Sequence, residues 1–94
     1  MKKDRVQRVL DRTSLVYVIE YNGIKLDRLG DKHVGLCPFH SEKSPSFTVD
    51  EKERVYHCFG CGAGGNAVNF VARMRRIGDE AALDWLERLT KGER

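Results

Sequence analysis

Cys37-Pro-Phe-His40, 17 further residues and then Cys58-Phe-Gly-Cys61 form the stretch that decides the fold of this 94-residue chain. Its four ligand-type side chains come in two pairs, and two residues separate the members of each pair. This spacing lets a tight backbone turn, here called a knuckle, present both side chains to one ion, and two knuckles complete a tetrahedral site. Four protein ligands leave no open position for a substrate. We therefore expect one structural Zn²⁺, bound by Cys37, His40, Cys58 and Cys61.

Other uses of these thiols agree less well with the sequence. All three cysteines belong to the two pairs, so ordinary buried thiols beside an unrelated histidine would be a coincidence. Disulfides are disfavoured, because three cysteines leave one unpaired and no export signal precedes them. His57 directly precedes Cys58 and points to the opposite face of an extended chain, which excludes it from the predicted metal site.

Length and charge narrow the class of protein. Residues 1–94 are enough for one domain with a modest core. Structural zinc contributes on the order of 10 kcal/mol in small zinc-finger peptides, more than the net stability of many such domains. The formal net charge of +3 is compatible with nucleic-acid binding without establishing it. With no apolar run of membrane-spanning length and no leader peptide, we expect a cytoplasmic protein.

Hydrophobic periodicity predicts an α+β fold in which a small antiparallel β-sheet carries a zinc ribbon between N- and C-terminal helices. Helical spacing covers residues 4–20, although the apolar run 15–19 is also compatible with a strand. Alternating residues place two hairpins in the ribbon, residues 24–62. Two further stripes of helical period occupy residues 66–90.

Turn residues set the expected boundaries of these elements. Ile24 and Leu26 alternate with charged residues and predict the start of the first hairpin, which turns at Gly30-Asp31. The charged segment 50–54 predicts a solvated turn in the second hairpin. Gly78 is expected to end the first of the two C-terminal helices.

Catalytic motifs are missing from the sequence. It contains no Asp-x-Asp pair and no phosphate-binding loop ending in Gly-Lys-Ser/Thr. The cysteines and His40 are used as metal ligands, so no nucleophile is paired with a base. We expect no catalytic residue in this chain, and hence no RNA synthesis by it alone.

The quoted motifs resemble those of the N-terminal zinc-binding domain of bacterial and phage DNA primases of the DnaG type. The matching segments are GLCPFH (35–40), EKSPSF (42–47), YHCFGCG (56–62) and GGNAVNF (64–70). The resemblance implies a zinc ribbon that helps a primase to engage single-stranded DNA template and to start an RNA primer at a preferred short sequence during DNA replication. It further implies that a separate polymerase domain joins the nucleotides.

The resemblance also implies partners and a template surface. The partners would be single-stranded DNA, a polymerase domain in cis or in trans, and the replicative helicase through the primase. Ser44 replaces the usual Thr and Asn66 replaces a common Asp, which leaves the preferred template sequence open. The expected nucleic-acid-binding residues are Lys43, Ser46, Phe47, Lys52, Arg54 and Phe59.

Alternatives remain for this surface and for the function. Phe47 and Phe59 would pack equally well into the core beside the zinc. The chain would also suit a free-standing DNA-binding regulator of a phage or mobile element, or a protein-interaction adaptor built on the same ribbon. Salt-dependent binding to single-stranded DNA separates the DNA-binding functions from the adaptor.

Overall fold

An antiparallel five-stranded sheet forms the centre of the computed structural model, which describes residues 5–40 and 45–92. Two helices precede it and two follow it: α1 (Arg5–Asp11), α2 (Leu15–Tyr21), α3 (Ala67–Arg75) and α4 (Asp79–Gly92). The strands have the same order in the chain and in the sheet: β1 (Asp27–Leu29), β2 (Lys32–Gly35), β3 (Phe47–Asp50), β4 (Val55–Cys58) and β5 (Gly64–Gly65). The predicted α+β fold is confirmed. Within the described ranges, no helix is both long and apolar enough to cross a membrane.

The two faces of the sheet differ in burial. In β4, Tyr56 and Cys58 are buried and alternate with the exposed Val55 and His57, as the pleat of a strand requires. The buried face, here called the inner face, packs against α3 through Phe70. The same core includes Leu15 and Ile19 of α2 and Leu86 of α4. The opposite or outer face keeps large apolar side chains in solvent.

Four aromatic rings join the inner face to the first knuckle. Phe47, Tyr56 and Phe70 lie with their ring centroids 5.4 to 6.3 Å apart. Phe39, from the first knuckle, contacts all three at 5.7 to 6.4 Å. These separations are typical of favourable aromatic pairs. The guanidinium of Arg73 lies 4.7 Å from the centre of the Phe39 ring. The aromatic cluster therefore connects the metal-binding loop with the main core.

The N-terminal elements differ in detail from the sequence prediction. Residues 15–19 lie in helix α2, whose N-cap Ser14 accepts a hydrogen bond from the N–H of Tyr17 at 3.1 Å. The expected strand at Ile24 begins only at Asp27. The reason is that the N–H of Ile24 bonds back to the carbonyl of Ile19 at 3.4 Å and closes α2, so it is not available to a sheet.

The first of the C-terminal helices has a well-formed N-cap, and its end differs from the sequence prediction. Asn66 caps α3, because its side chain and that of Asn69 each accept the other's backbone N–H at about 3 Å. Helix α3 ends earlier than predicted, at Arg75, and its C-cap Arg76 adopts the left-handed conformation with φ 57°. Gly78 instead precedes α4 and accepts its first hydrogen bond, from Ala82, at 2.9 Å.

The turn between β3 and β4 is anchored to the helices instead of being solvated throughout. The Glu51 carboxylate accepts hydrogen bonds from the Ser14 hydroxyl and from the N–H groups of Leu15 and Val16, the latter two at 2.9 and 3.2 Å. Glu51 thus places a negative charge at the N-terminus of α2, where backbone N–H groups lack helical partners. The guanidinium of Arg54 donates to the carbonyl of Asp11 at 3.3 Å.

We predict that Glu51→Ala destabilises the protein by about 1 kcal/mol, because it leaves these N–H groups without an acceptor and removes a charge that favours the helix N-terminus. Glu53→Ala is the matched control, since the Glu53 side chain is exposed in the same turn. Urea denaturation of both variants checks the prediction. Equal stability of the two variants would contradict it.

Candidate metal centre

The two knuckles bring together the four predicted ligands. Cys37 and His40 follow β2, whereas Cys58 ends β4 and Cys61 lies in the turn after it. Their ligand atoms all lie within 4.8 Å of one another. Cys37 Sγ and Cys61 Sγ are 3.8 Å apart, and Cys58 Sγ and His40 Nδ1 are 4.0 Å apart. Tetrahedral zinc with bonds of about 2.3 Å to sulfur requires roughly 3.8 Å between two sulfurs. The four side chains therefore fit one structural zinc.

Glycines allow the second knuckle to close against the first. Gly62 has φ 81°, a conformation that favours glycine, and its N–H bonds to the carbonyl of Cys58 at 2.8 Å. Gly60 is needed for space instead, since a Cβ there would lie 2.9 Å from Nε2 of His40. The close approach of the Gly60 backbone to His40 thus depends on the missing side chain.

The two buried thiols lie in different electrostatic surroundings. Burial raises the pKa of the Cys37 thiol to about 12. Burial acts in the same direction on Cys58, but the Ser46 hydroxyl and the backbone N–H groups of Cys61 and Gly60 stabilise its thiolate and lower its pKa to about 7. Bound Zn²⁺ holds such sulfurs as thiolates. Donors such as Ser46, whose Oγ lies 3.4 Å from Cys58 Sγ, orient and stabilise a ligand of this kind.

Exposure differs across the site. Cys37 and Cys58 are buried and Cys61 is exposed, so the centre lies at the edge of the core. His57 is exposed in β4 and is not part of the ligand group, in agreement with the sequence prediction. Its ring instead contacts that of Phe59 in a T-shaped arrangement, with 4.6 Å between the ring centroids.

The predicted nucleic-acid-binding residues near the zinc separate into two environments. Phe59 is 74% exposed on the outer face, and its N–H donates to the carbonyl of Ser46 at 2.9 Å. Phe47 is 0% exposed and belongs to the aromatic cluster. The prediction that Phe47 contacts DNA is therefore corrected, because no base reaches its ring in the folded protein. Lys43 lies outside the described residues.

The other two predicted residues lie at the opposite end of the sheet. Lys52 and Arg54 are exposed in the turn between β3 and β4, whereas Ser46 and Phe59 flank these strands at the zinc end. A strand advances about 3.3 Å per residue, so the strands separate the two groups by roughly 15 Å. Arg54 is additionally engaged with the carbonyl of Asp11. The structure therefore does not gather the described members of the predicted set, those outside residues 41–44, into one cluster.

Two outer-face residues were not predicted as part of the surface. His57 lies against Phe59, and Leu36 is 50% exposed just after Gly35, which pairs with Phe47. The sequence carried a signal for His57 and Phe59, because both flank Cys58 and side chains alternate along a strand. For Leu36 the signal was absent, since its position depends on the pairing of β2 with β3.

Comparison with known proteins gives consistent matches. The profile of the CHC2 zinc finger family matches residues 1–91. DNA primase of Synechocystis sp. is 46% identical over 87 residues, which is 90% of this chain and 13% of that protein. DNA primase of Legionella pneumophila is 45% identical over 83 residues, 88% of this chain and 14% of that protein.

A solved structure has the same fold. The crystal structure of the zinc-binding and RNA polymerase domains of the Aquifex aeolicus primase superimposes with a TM-score of 0.89 at 29% identity. The match covers 96% of this chain and 22% of the Aquifex chain. The present chain thus spans only a small part of the proteins that it matches.

Proposed function

Since the chain belongs to the CHC2 zinc finger family, the zinc-binding part of DNA primases, we propose that it recognises single-stranded DNA template and so helps to start RNA primers in DNA replication. We further propose that a polymerase domain, in cis or in trans, joins the nucleotides. Support for this partner comes from the primase relatives, of which this chain spans 13 to 14%. The matched Aquifex structure likewise contains an RNA polymerase domain beside its zinc-binding domain.

The observation that carries the proposal is the exposed aromatic pair on the outer face next to the zinc. Phe59 immediately follows the ligand Cys58, so the metal site holds its backbone in place. The His57 and Phe59 rings meet in a T-shaped arrangement, and 74% of Phe59 remains exposed. Bases of single strands stack on such rings, and each stack contributes about 1–3 kcal/mol.

Cations are expected to hold the phosphates of the same strand. The proposed phosphate contacts are Lys43 and Lys52. Lys52 lies in the turn between β3 and β4, at the end of the sheet opposite the zinc. Ser46 is proposed to orient the thiolate of Cys58 through its hydroxyl, which lies 3.4 Å from Cys58 Sγ at the zinc end of the sheet. Arg54 is a weaker candidate because its guanidinium already donates to Asp11. Contacts of this kind predict that affinity for single-stranded DNA falls as the salt concentration rises.

We predict that Phe59→Ala weakens binding of short single-stranded DNA about tenfold, because it removes one stacking ring. Fluorescence anisotropy of the zinc-loaded protein at low and moderate salt measures this effect. Tyr21→Ala is the matched control, since Tyr21 is 55% exposed on α2, where its ring contacts Trp85 of α4 and not the sheet residues beside the zinc ligands. Equal affinities of the two variants would remove Phe59 from the template surface.

Reconstitution tests the proposed function itself. The zinc-loaded chain is added to a primase polymerase domain that lacks its own zinc-binding domain. We expect primer synthesis to be restored and to depend on the template trinucleotide. A DNA-binding regulator would bind DNA without restoring synthesis, and an adaptor would do neither. Either of those results would contradict the proposal.

A further inference from the structure

A groove of about 430 Å³ opens beside the first knuckle, next to Cys37. One wall is the segment between α2 and β1, and the other is the chain that leaves β2. Its volume falls within the roughly 300–1,000 Å³ of typical small-ligand sites. The groove has an apolar lining formed by Ile24, Leu36, Pro38 and Pro45.

Two opposite charges lie at this groove without engaging each other. Lys25 and Asp27 both line it and are both exposed. Among residues 5–40 and 45–92, neither side chain has a hydrogen-bond or ion-pair partner. On the same sheet, by contrast, Lys32 Nζ lies 3.4 Å from a carboxylate oxygen of Asp50. The groove thus offers a cation and an acceptor beside apolar surface.

The groove is continuous with the proposed template surface. Leu36 belongs to the groove lining and directly follows Gly35, the partner of Phe47 in the sheet. Pro45, also in the lining, directly precedes Ser46, whose carbonyl accepts the N–H of Phe59 at 2.9 Å. A single strand stacked on Phe59 therefore passes close to the mouth of the groove.

We propose that this groove binds one base of the template and selects it by its exocyclic amino group. The inference rests on the proposed function and adds to it a residue that determines specificity. The proline rings and Leu36 cover the faces of the base, and Lys25 contacts a neighbouring phosphate. The Asp27 carboxylate accepts a hydrogen bond from the amino group of cytosine, adenine or guanine. Thymine is disfavoured, because it has no amino group and its carbonyl oxygens repel a carboxylate.

Base preference provides the test for Asp27. Anisotropy titrations use zinc-loaded protein and oligonucleotides in which each template position carries each of the four bases. We expect the wild type to disfavour thymine about tenfold at one position, and Asp27→Asn to reduce this preference to about twofold or less. Asp31→Asn is the matched control, because Asp31 is exposed in the β1–β2 turn at the other end of the same hairpin. It should keep the wild-type preference.

A second variant separates specificity from general affinity. Lys25→Gln should weaken binding of all sequences alike and reduce the slope of log affinity against log salt by about one. Circular dichroism of each variant confirms that the fold is intact. Asp27→Asn keeps an oxygen acceptor but adds an amide donor that can bond to the thymine carbonyls, whereas Asp27→Ala removes the acceptor altogether. Both variants should therefore relax the preference.

The outcomes distinguish the groove from the wider proposal. Absence of any binding to single-stranded DNA, or failure of the reconstitution, overturns the proposed function. A different pair of results overturns the groove proposal alone, provided that the wild type binds and Phe59→Ala weakens binding. The first is that the wild type shows no base preference. The second is that both Asp27 variants retain the wild-type base preference.

Discussion

Removal of zinc is expected to unfold the ribbon and the aromatic cluster behind it. Structural zinc contributes on the order of 10 kcal/mol, which is comparable to the whole net stability of a domain of this size. Two ligands, Cys37 and Cys58, are buried, and Phe39 projects from the first knuckle into the core cluster. Without the ion, the two knuckles lose the bonds that join their ligands, so the segment that carries Phe39 is no longer fixed against the core.

Circular dichroism and thermal melting before and after chelation measure this effect. Cys58→Ser should lose metal and fold together. His40→Gln should behave in the same way, with His57→Gln as the matched control, because His57 is exposed and lies outside the ligand group. An unchanged spectrum and melting temperature after verified metal removal would contradict the prediction.

The second large effect is expected at Phe47. Its side chain is 0% exposed and contacts Phe39, Tyr56 and Phe70 with centroids 5.4 to 6.4 Å apart. Phe47→Ala should therefore reduce the free energy of unfolding by about 3–5 kcal/mol, the usual result of emptying a buried aromatic site. Phe47→Leu fills most of the volume and should lose less.

Phe59→Ala is the control for this prediction, with the same substitution on the same sheet. Because Phe59 is 74% exposed, its removal should change the free energy of unfolding by no more than about 0.5 kcal/mol. Urea denaturation of the zinc-loaded variants measures both values. Similar losses at Phe47 and Phe59 would show that the two rings share one environment, contrary to the structure.

Together the two variants separate stability from DNA binding. Phe47→Ala should reduce binding only in proportion to the fraction of protein that is unfolded. Phe59→Ala should reduce binding of single-stranded DNA while the protein remains folded. The same residue type thus has a structural role on the inner face and a proposed recognition role on the outer face.

Local chemistry made the metal centre predictable from the sequence alone. Each ligand pair is separated by two residues, so its geometry depends on one short turn. The caps Ser14 and Asn66 are local in the same sense, because each accepts from a backbone N–H three residues away. The α+β fold class followed from hydrophobic periodicity, another short-range signal.

Long-range pairing decided the remaining features. Alternation indicated that Phe47 and Val49 share a face, but only the packing of α3 on that face makes it the buried one. The role of Glu51 depends on residues 35 to 37 positions away. The sequence by itself therefore determined the ion, its ligands and the fold class. The burial of Phe47, the anchoring of Glu51 and the groove beside Cys37 were decided only by the tertiary structure, because each depends on segments that are distant in the chain and meet only after folding.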